Sequence, residues 1–292
     1  MKRLFSIVTV LLLVGCATVF IQLRPMSVNF AEYLLWKFSA AAPQSAYIEH
    51  GGARIHYAAY GQGQPLLLLH GGLSSKLCWF SQLPWLAQAG RQVVLIDTRG
   101  HGYSSRGPAE LSYQVFAEDV LRVMDSLHIA RADMIGWSDG GVTALMLGLQ
   151  APQRVGRIIA ISANFHPGGL LDEPVAGTGD QADFGWPDSV KTWFQSWWSG
   201  AGDRHAELEA ELNRLWRTQP QLAHSDLRAI TAPTLVIAGE NDIIDIAHSG
   251  ELAQMLAHGR IEIVLGAGHT ALFTHPRQIN RLIADFLDIP LS

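Results

Sequence analysis

The chain of 292 residues is 48% hydrophobic and 16% charged with a formal net charge of −5, which suits one large core carrying an insertion. That balance excludes a disordered chain, and no basic stripe is present to hold nucleic acid. The two cysteines, Cys16 and Cys78, fall in unlike segments and make no disulfide framework, and no C-x-x-C, H-E-x-x-H or G-x-x-x-x-G-K-[ST] occurs, so neither a metal nor another cofactor is expected.

At the N-terminus, Lys2 and Arg3 precede an apolar run from Leu4 to Val14 that ends at Gly15-Cys16, the order of an export signal. Leu13-Val14-Gly15-Cys16 resembles a bacterial lipobox, which makes Cys16 a candidate lipidation site. The apolar run also continues through Ala17 to Ile21, giving the length a spanning helix requires, so residues 1–24 read either as a signal peptide or as an uncleaved anchor. With Lys2 and Arg3 held inside, both versions tether the rest of the chain on the outer side of the cytoplasmic membrane of a bacterial envelope. Residues 25–45 read as a linker with an amphipathic segment. Its Phe30 to Phe38 stretch, with Tyr33, Leu34, Leu35 and Trp36, either lies along the membrane surface or packs on the domain, and Ala40-Ala41-Ala42-Pro43 leads into the first strands.

Residues 46–292 read as one domain. Strand patterns at Tyr47 to Glu49, Ile55 to Ala59, Leu66 to Leu69, Val93 to Ile96, Met134 to Gly136, Ile158 to Ile161, Leu235 to Ala238 and Ile261 to Leu265 come to alternate with helical patterns. This alternation predicts an α/β architecture with a mostly parallel sheet flanked by helices, in which ligands bind beyond the carboxyl ends of the strands.

Every residue with a candidate chemical role falls at such an end. Gly136-Trp137-Ser138-Asp139-Gly140 is a G-x-S-x-G pentapeptide between a strand run and a helix run, the setting of a nucleophile elbow. A serine hydroxyl is a poor nucleophile at neutral pH, so it needs a base within hydrogen-bond reach, and that base needs a group to fix its tautomer. Downstream, the strand at Leu235 runs into Gly239-Glu240-Asn241-Asp242, and Asp242 is the candidate acid. The strand at Ile261 is followed by Gly266-Ala267-Gly268-His269, and His269 is the candidate base among 12 histidines. His248, His258 and His275 are set aside because none follows a strand end. Ester cleavage also needs donors for the developing oxyanion. The strand at Leu66 passes directly into His70-Gly71-Gly72-Leu73, so the backbone N–H groups of Gly72 and Asp139 are the candidates, with Leu73 as the alternative to Gly72. The Asp139 carboxylate at the first turn of a helix either complements the helix dipole or draws a substrate ammonium into the pocket.

Between Ser162 and Pro233 the chain is too long for an ordinary crossover, and the stretch of about 163–230 reads as a cap. It carries Phe165, Phe184, Trp186, Trp193, Phe194, Trp197, Trp198 and Trp216. The helical spacing of Trp193, Trp197 and Trp198 predicts a helix face packed on the core, with a few of these aromatics lining a pocket for an apolar acyl or alcohol group.

These motifs in this order identify the chain, from about Tyr47 onward, as similar to the serine-type α/β-hydrolases. Asp97-Thr98-Arg99-Gly100-His101-Gly102-Tyr103-Ser104 matches that family's mainly structural D-x-R-G-x-G-x-S loop, and Gly-Trp-Ser-Asp-Gly-Gly resembles the elbow of the valacyclovir-hydrolase-like small-ester hydrolases. Ser138 sets the chain apart from members with an aspartate nucleophile, the epoxide hydrolases and haloalkane dehalogenases. The resemblance implies the α/β-hydrolase fold with a helical cap and a small ester as substrate, cleaved through an acyl-enzyme. Amide or C–C bond hydrolysis or perhydrolysis by the same triad stays open, as does a catalytically weak member that binds a ligand at the membrane.

Overall fold

The apolar runs of the sequence pair edge to edge into an eight-stranded sheet in a computed structural model that describes residues 24–171 and 187–291. In chain order the elements are α1 (Arg24–Ser39), β1 (Gln44–His50), β2 (Ala53–Tyr60), β3 (Gln64–Leu69), α2 (Leu83–Gln88), β4 (Arg91–Ile96), α3 (Tyr113–Ser126), β5 (Ala132–Trp137), α4 (Asp139–Gln150) and β6 (Val155–Ile161). They continue with α5 (Asp188–Ser199), α6 (His205–Thr218), α7 (His224–Ala229), β7 (Thr234–Gly239), α8 (Ile246–Met255), β8 (Gly259–Val264), α9 (Ala271–Thr274) and α10 (Pro276–Leu287). The strand order is β1-β2-β4-β3-β5-β6-β7-β8, antiparallel at β1/β2 and β2/β4 and parallel throughout the rest.

This order fixes where a site can form. The chain leaves β3 for β4 on one side and returns to β5 on the other, so the connections diverge at the carboxyl ends of β3 and β5 and open a crevice there. Leu69 pairs with Gly136, which sets the loop after β3 beside the turn after β5. Strands buried on both faces need no alternation with polar residues. In β3, Leu67 and Leu69 join the core beneath α3 and α4, while Leu66 and Leu68 join the opposite core beneath α2 and α10. Each such leucine, removed from water, contributes about 1.5–3 kcal/mol.

Several local signals read as expected. Ser112 caps α3 by accepting the Val115 N–H, and Asp245 caps α8 by accepting the Ala247 N–H. Gly51 and Gly52, both at positive φ, close the β1/β2 hairpin. The segment read as a linker with an amphipathic stretch is helical over α1, and β1 begins at Gln44. One face of α1 packs on the domain: Phe30 meets Phe80 edge-on with centroids 5.5 Å apart, Tyr33 is buried, and Trp36 lies 5.4 Å from Tyr60. Leu35 and Phe38 on its other face are exposed. Among the described residues no helix is long and apolar enough to cross a membrane. The apolar run of residues 1–23, Cys16 within it, and cap residues Phe184 and Trp186 lie outside the described residues.

The cap is tied to the body at both of its long helices. Near the end of α5, the Trp198 carbonyl accepts the Ser75 hydroxyl at 2.8 Å and the Ser199 carbonyl accepts the Gly102 N–H at 2.7 Å. On α6, Glu211 takes a two-pronged contact from Arg106 at 2.6 and 2.9 Å. The expectation that the α5 tryptophans pack on the core holds for Trp198, which meets Phe273 at 5.5 Å, but fails for the other two. Trp193 and Trp197 are 65% and 47% exposed. The reason is positional: α5 touches the body at its C-terminal end, so these two rings line a groove of about 870 Å³ facing Phe30, Tyr33 and Leu34 of α1.

Candidate active site

Strand β5 delivers the chain to Ser138 in a backbone conformation, φ 53° and ψ −120°, that L-residues rarely adopt. Such strain costs roughly 1–3 kcal/mol and persists only where the surroundings enforce it. Here they do: the Ser138 N–H is held by the Ile161 carbonyl at 2.8 Å, and its own carbonyl accepts the Gly141 and Val142 N–H groups that begin the ladder of α4. The motif glycines answer to contact distances. A Cβ on Gly136 would lie 2.1 Å from the Gly140 carbonyl oxygen, and one on Gly140 would lie 2.0 Å from that of Leu69.

The three side chains singled out from separate parts of the sequence meet at this turn. His269 Nδ1 lies 2.7 Å from Asp242 Oδ1, and His269 Nε2 lies 3.1 Å from Ser138 Oγ. With Nδ1–H donated to the carboxylate, the Nε2 lone pair faces the Ser138 hydroxyl proton. Asp242 is buried, and its Oδ1 also accepts the Ile244 N–H while Oδ2 accepts the Ser162 hydroxyl. Burial alone would push this carboxyl up, but the charge and hydrogen bond of His269, joined by Ser162 and Ile244, outweigh it and hold Asp242 below the ordinary carboxylate range. The imidazole is fixed from behind as well, because the His269 carbonyl accepts the Trp137 indole N–H at 2.9 Å.

The loop after β3 runs against the elbow, and a Cβ on Gly71 would lie 3.1 Å from that of Ser138. Of the two donor candidates in that loop, Leu73 is removed: its N–H is given to His101 Nε2 at 3.1 Å. Burial is the main cause that pushes the His101 imidazole down to about 3, so it is neutral and able to accept there while donating Nδ1–H to the Arg99 carbonyl. His70, also buried, is spent on the loop itself, accepting the Thr98 N–H and donating to the Gly71 carbonyl. Among the described residues the N–H groups of Gly72 and Asp139 have no hydrogen-bond acceptor. They are the pair available to an oxyanion.

The Asp139 side chain has partners that neither of its sequence readings named. It is 6% exposed, and its Oδ1 accepts the Tyr113 hydroxyl at 2.8 Å and the Trp216 indole N–H at 2.9 Å. Burial raises its carboxyl above the usual range against the pull of those two hydrogen bonds and of His269. Sequence reasoning missed Tyr113 as a partner here and saw Trp216 only as one cap aromatic among eight. It missed Ser162 too, although a polar residue ending the apolar strand β6 was a signal at hand. His248, set aside from the sequence, is half-buried, stacks on Phe165 at 4.0 Å and accepts its N–H. Among the described residues no group of three or more His, Cys, Asp or Glu could hold a metal ion.

Comparison with known proteins bears on this geometry. A sequence model of the alpha/beta hydrolase fold matches residues 64–200, which span the chain from β3 through the elbow into the cap. The chain belongs to the α/β-hydrolase superfamily. As a hydrolase of that superfamily it is 28% identical over 259 residues to the 2-hydroxymuconate semialdehyde hydrolase of Pseudomonas sp. strain CF600, covering 81% of this chain and 91% of that one. It is 26% identical over 264 residues to the mouse (Mus musculus) serine hydrolase BPHL, covering 84% and 87%. Among solved structures, Est816, described as an N-acyl homoserine lactone degrading enzyme, superposes with a TM-score of 0.70 at 27% identity, covering 82% of this chain and all of that one.

Proposed function

We propose that this hydrolase cleaves carboxylic esters of small, apolar substrates through an acyl-enzyme. The observation that carries the reading is the unbroken relay from Asp242 through His269 to Ser138 beside two unspent backbone donors. As Ser138 Oγ attacks the ester carbonyl, His269 Nε2 takes its proton, and the Gly72 and Asp139 N–H groups hold the carbonyl oxygen as it becomes negative. His269 then returns that proton to the departing alcohol. In the second half His269 takes a proton from water, hydroxide adds to the acyl carbon, and the acid leaves as Ser138 recovers its proton. Asp242 fixes the tautomer in both halves and stabilises the imidazolium. An ester is the substrate class that this machinery meets most directly, and a relative described as a lactone-degrading enzyme supports it, since a lactone is a cyclic ester. The aromatic character of the cap supports an apolar acyl or alcohol group.

Ser138→Ala should lower turnover of a short-chain nitrophenyl ester by about 10⁴-fold or more. Retention of that turnover in the purified variant overturns the reading, and a panel of matched esters and amides checks the substrate class.

The same reading extends to place. The charged start and apolar run of residues 2–21 support a tether to the bacterial cytoplasmic membrane, with the domain on its outer side, either through a lipid on Cys16 or through an uncleaved anchor. Deleting residues 1–24 should release the enzyme from the membrane fraction. An unchanged fraction contradicts the tether.

A further inference from the structure

Trp216 sits on the cap helix α6, yet its indole reaches both strands of the candidate oxyanion site. Its Nε1–H is donated to Asp139 Oδ1 at 2.9 Å, and its Cζ2 lies 2.6 Å from the point a Gly72 Cβ would occupy. Asp139 Oδ2 lies 2.5 Å from that same point, so Gly72 is clasped between an indole edge and a carboxylate. The Asp139 carboxylate is itself aimed by the Tyr113 hydroxyl at 2.8 Å, from the start of α3 on the domain body. Its Oδ2 is buried with no hydrogen-bond partner, which no stability argument rewards and which a positional role explains.

Resting on the reading of Ser138 as nucleophile, we infer that Trp216 and the Asp139 side chain are positioning residues for the oxyanion site: together they set the spacing and direction of the Gly72 and Asp139 N–H groups. The physical need is specific. Two donors stabilise the transition state only if both point at the place the oxygen will occupy; His70 holds the Gly71 carbonyl, and with it the plane of the Gly71–Gly72 peptide, but Gly72 has no side chain of its own to set the distance between loop and elbow. The indole supplies the missing wall. It also carries information from the cap to the elbow, because α6 is fastened to the loop after β4 by Arg106 and Glu211 on one side and to Asp139 by Trp216 on the other. A cap that shifts therefore detunes the donors.

The test is a split between binding and turnover. Trp216→Phe keeps an aromatic ring against Gly72 and deletes the N–H, and Tyr113→Phe deletes the second donor to Asp139 without touching the cap. Each should lower kcat for a short nitrophenyl ester by about tenfold with KM within a factor of two, the mark of an interaction made in the transition state. A phenylboronic acid, whose tetrahedral serine adduct places an oxygen in the same donors, should lose affinity by a similar factor. If KM rises while kcat and boronate affinity hold, Trp216 is only a pocket wall and the inference is overturned. Unchanged kinetics in both variants overturn it too. If Trp216→Phe fails to fold, Tyr113→Phe alone decides between these outcomes. The inference fails by itself when the parent enzyme turns over through Ser138 and the variants match it; if Ser138→Ala is as active as the parent, the proposed function has failed instead.

Discussion

Among the described residues the molecule holds two Ser–His–Asp relays, and they sit in unlike surroundings. Ser138–His269–Asp242 lies at the crevice between β3 and β5, with separations of 3.1 and 2.7 Å. Ser45–His56–Asp97 lies at the antiparallel edge of the sheet, with Ser45 Oγ 2.8 Å from His56 Nε2 and His56 Nδ1 3.1 Å from Asp97 Oδ2. By distance alone the two are equals. They differ in what surrounds them. Ser45 is an ordinary strand residue, paired in register with Ala58, whereas Ser138 is held at positive φ at the start of a helix with two unspent N–H donors at its side. His56 is itself buried, with the rings of Tyr47 and Tyr103 at 5.0 and 5.1 Å. Asp97 also carries an ion pair with Lys76 and accepts the N–H groups of Lys76 and Tyr103, while Asp242 has no cationic partner apart from His269 among the described residues. A relay is therefore a necessary part of this chemistry and an insufficient one. The edge relay is a structural tie.

The comparison breaks most sharply at the histidines. His269→Ala should remove ester turnover by about 10⁴-fold, since it deletes the general base, and should also cost stability of the order of 1–3 kcal/mol because buried Asp242 loses its partner. His56→Ala should leave kcat near that of the parent and cost about 1–3 kcal/mol of stability, because it strips a buried acid of a partner. Equal kinetic losses in the two would erase the distinction. Parallel kinetics and urea denaturation decide.

A smaller contrast lies in the acids. Asp242→Asn should cost about 10³–10⁴-fold in kcat by leaving His269 in the wrong tautomer. Asp97→Asn should act on stability instead, by about 3 kcal/mol or more, because Lys76 is left without its countercharge. Its carboxyl is buried, which alone would raise it, yet His56 and Lys76 pull it well below the ordinary range. A depressed acid contributes stability that is present above the unfolded pKa of about 3.9 and is lost as pH falls below it. The deficit of Asp97→Asn in thermal midpoint should therefore be full at pH 7 and shrink as pH drops below about 4.

Asp139 gives the opposite sign and the smallest effect. Burial raises its folded pKa, so it favours the fold while protonated and loses that contribution as pH rises through the raised value. Asp139→Asn should gain thermal midpoint relative to the parent as pH rises from about 4 toward neutrality. A gap that narrows over that range would contradict the burial of this charge. Thermal scans at a series of pH values measure it.

How far the sequence carried this picture depends on distance along the chain. The elbow is a local pattern, and Asp242 and His269 could be placed because strand ends are legible from short apolar runs followed by small residues. The doubly wound sheet followed from the same runs. What could not be read was orientation across elements. Gly72 and Leu73 were alternatives until His101, some 28 residues on, proved to accept the Leu73 N–H. Asp139 looked like an open carboxylate because its partners, Tyr113 and Trp216, lie 26 and 77 residues away. The α5 tryptophans shared a helical spacing that shows which residues face one way but not what that face meets. The edge relay, formed by three residues with no shared motif, was legible only at Asp97, which opens the D-x-R-G-x-G-x-S loop.

Whether the environment and not the relay makes a serine reactive can be read by treating the intact protein with a fluorophosphonate and mapping the modified peptide by mass spectrometry. One adduct is expected, on Ser138, absent from Ser138→Ala and unaffected by Ser45→Ala. An adduct on Ser45, or no adduct on Ser138 in the folded protein, would contradict it.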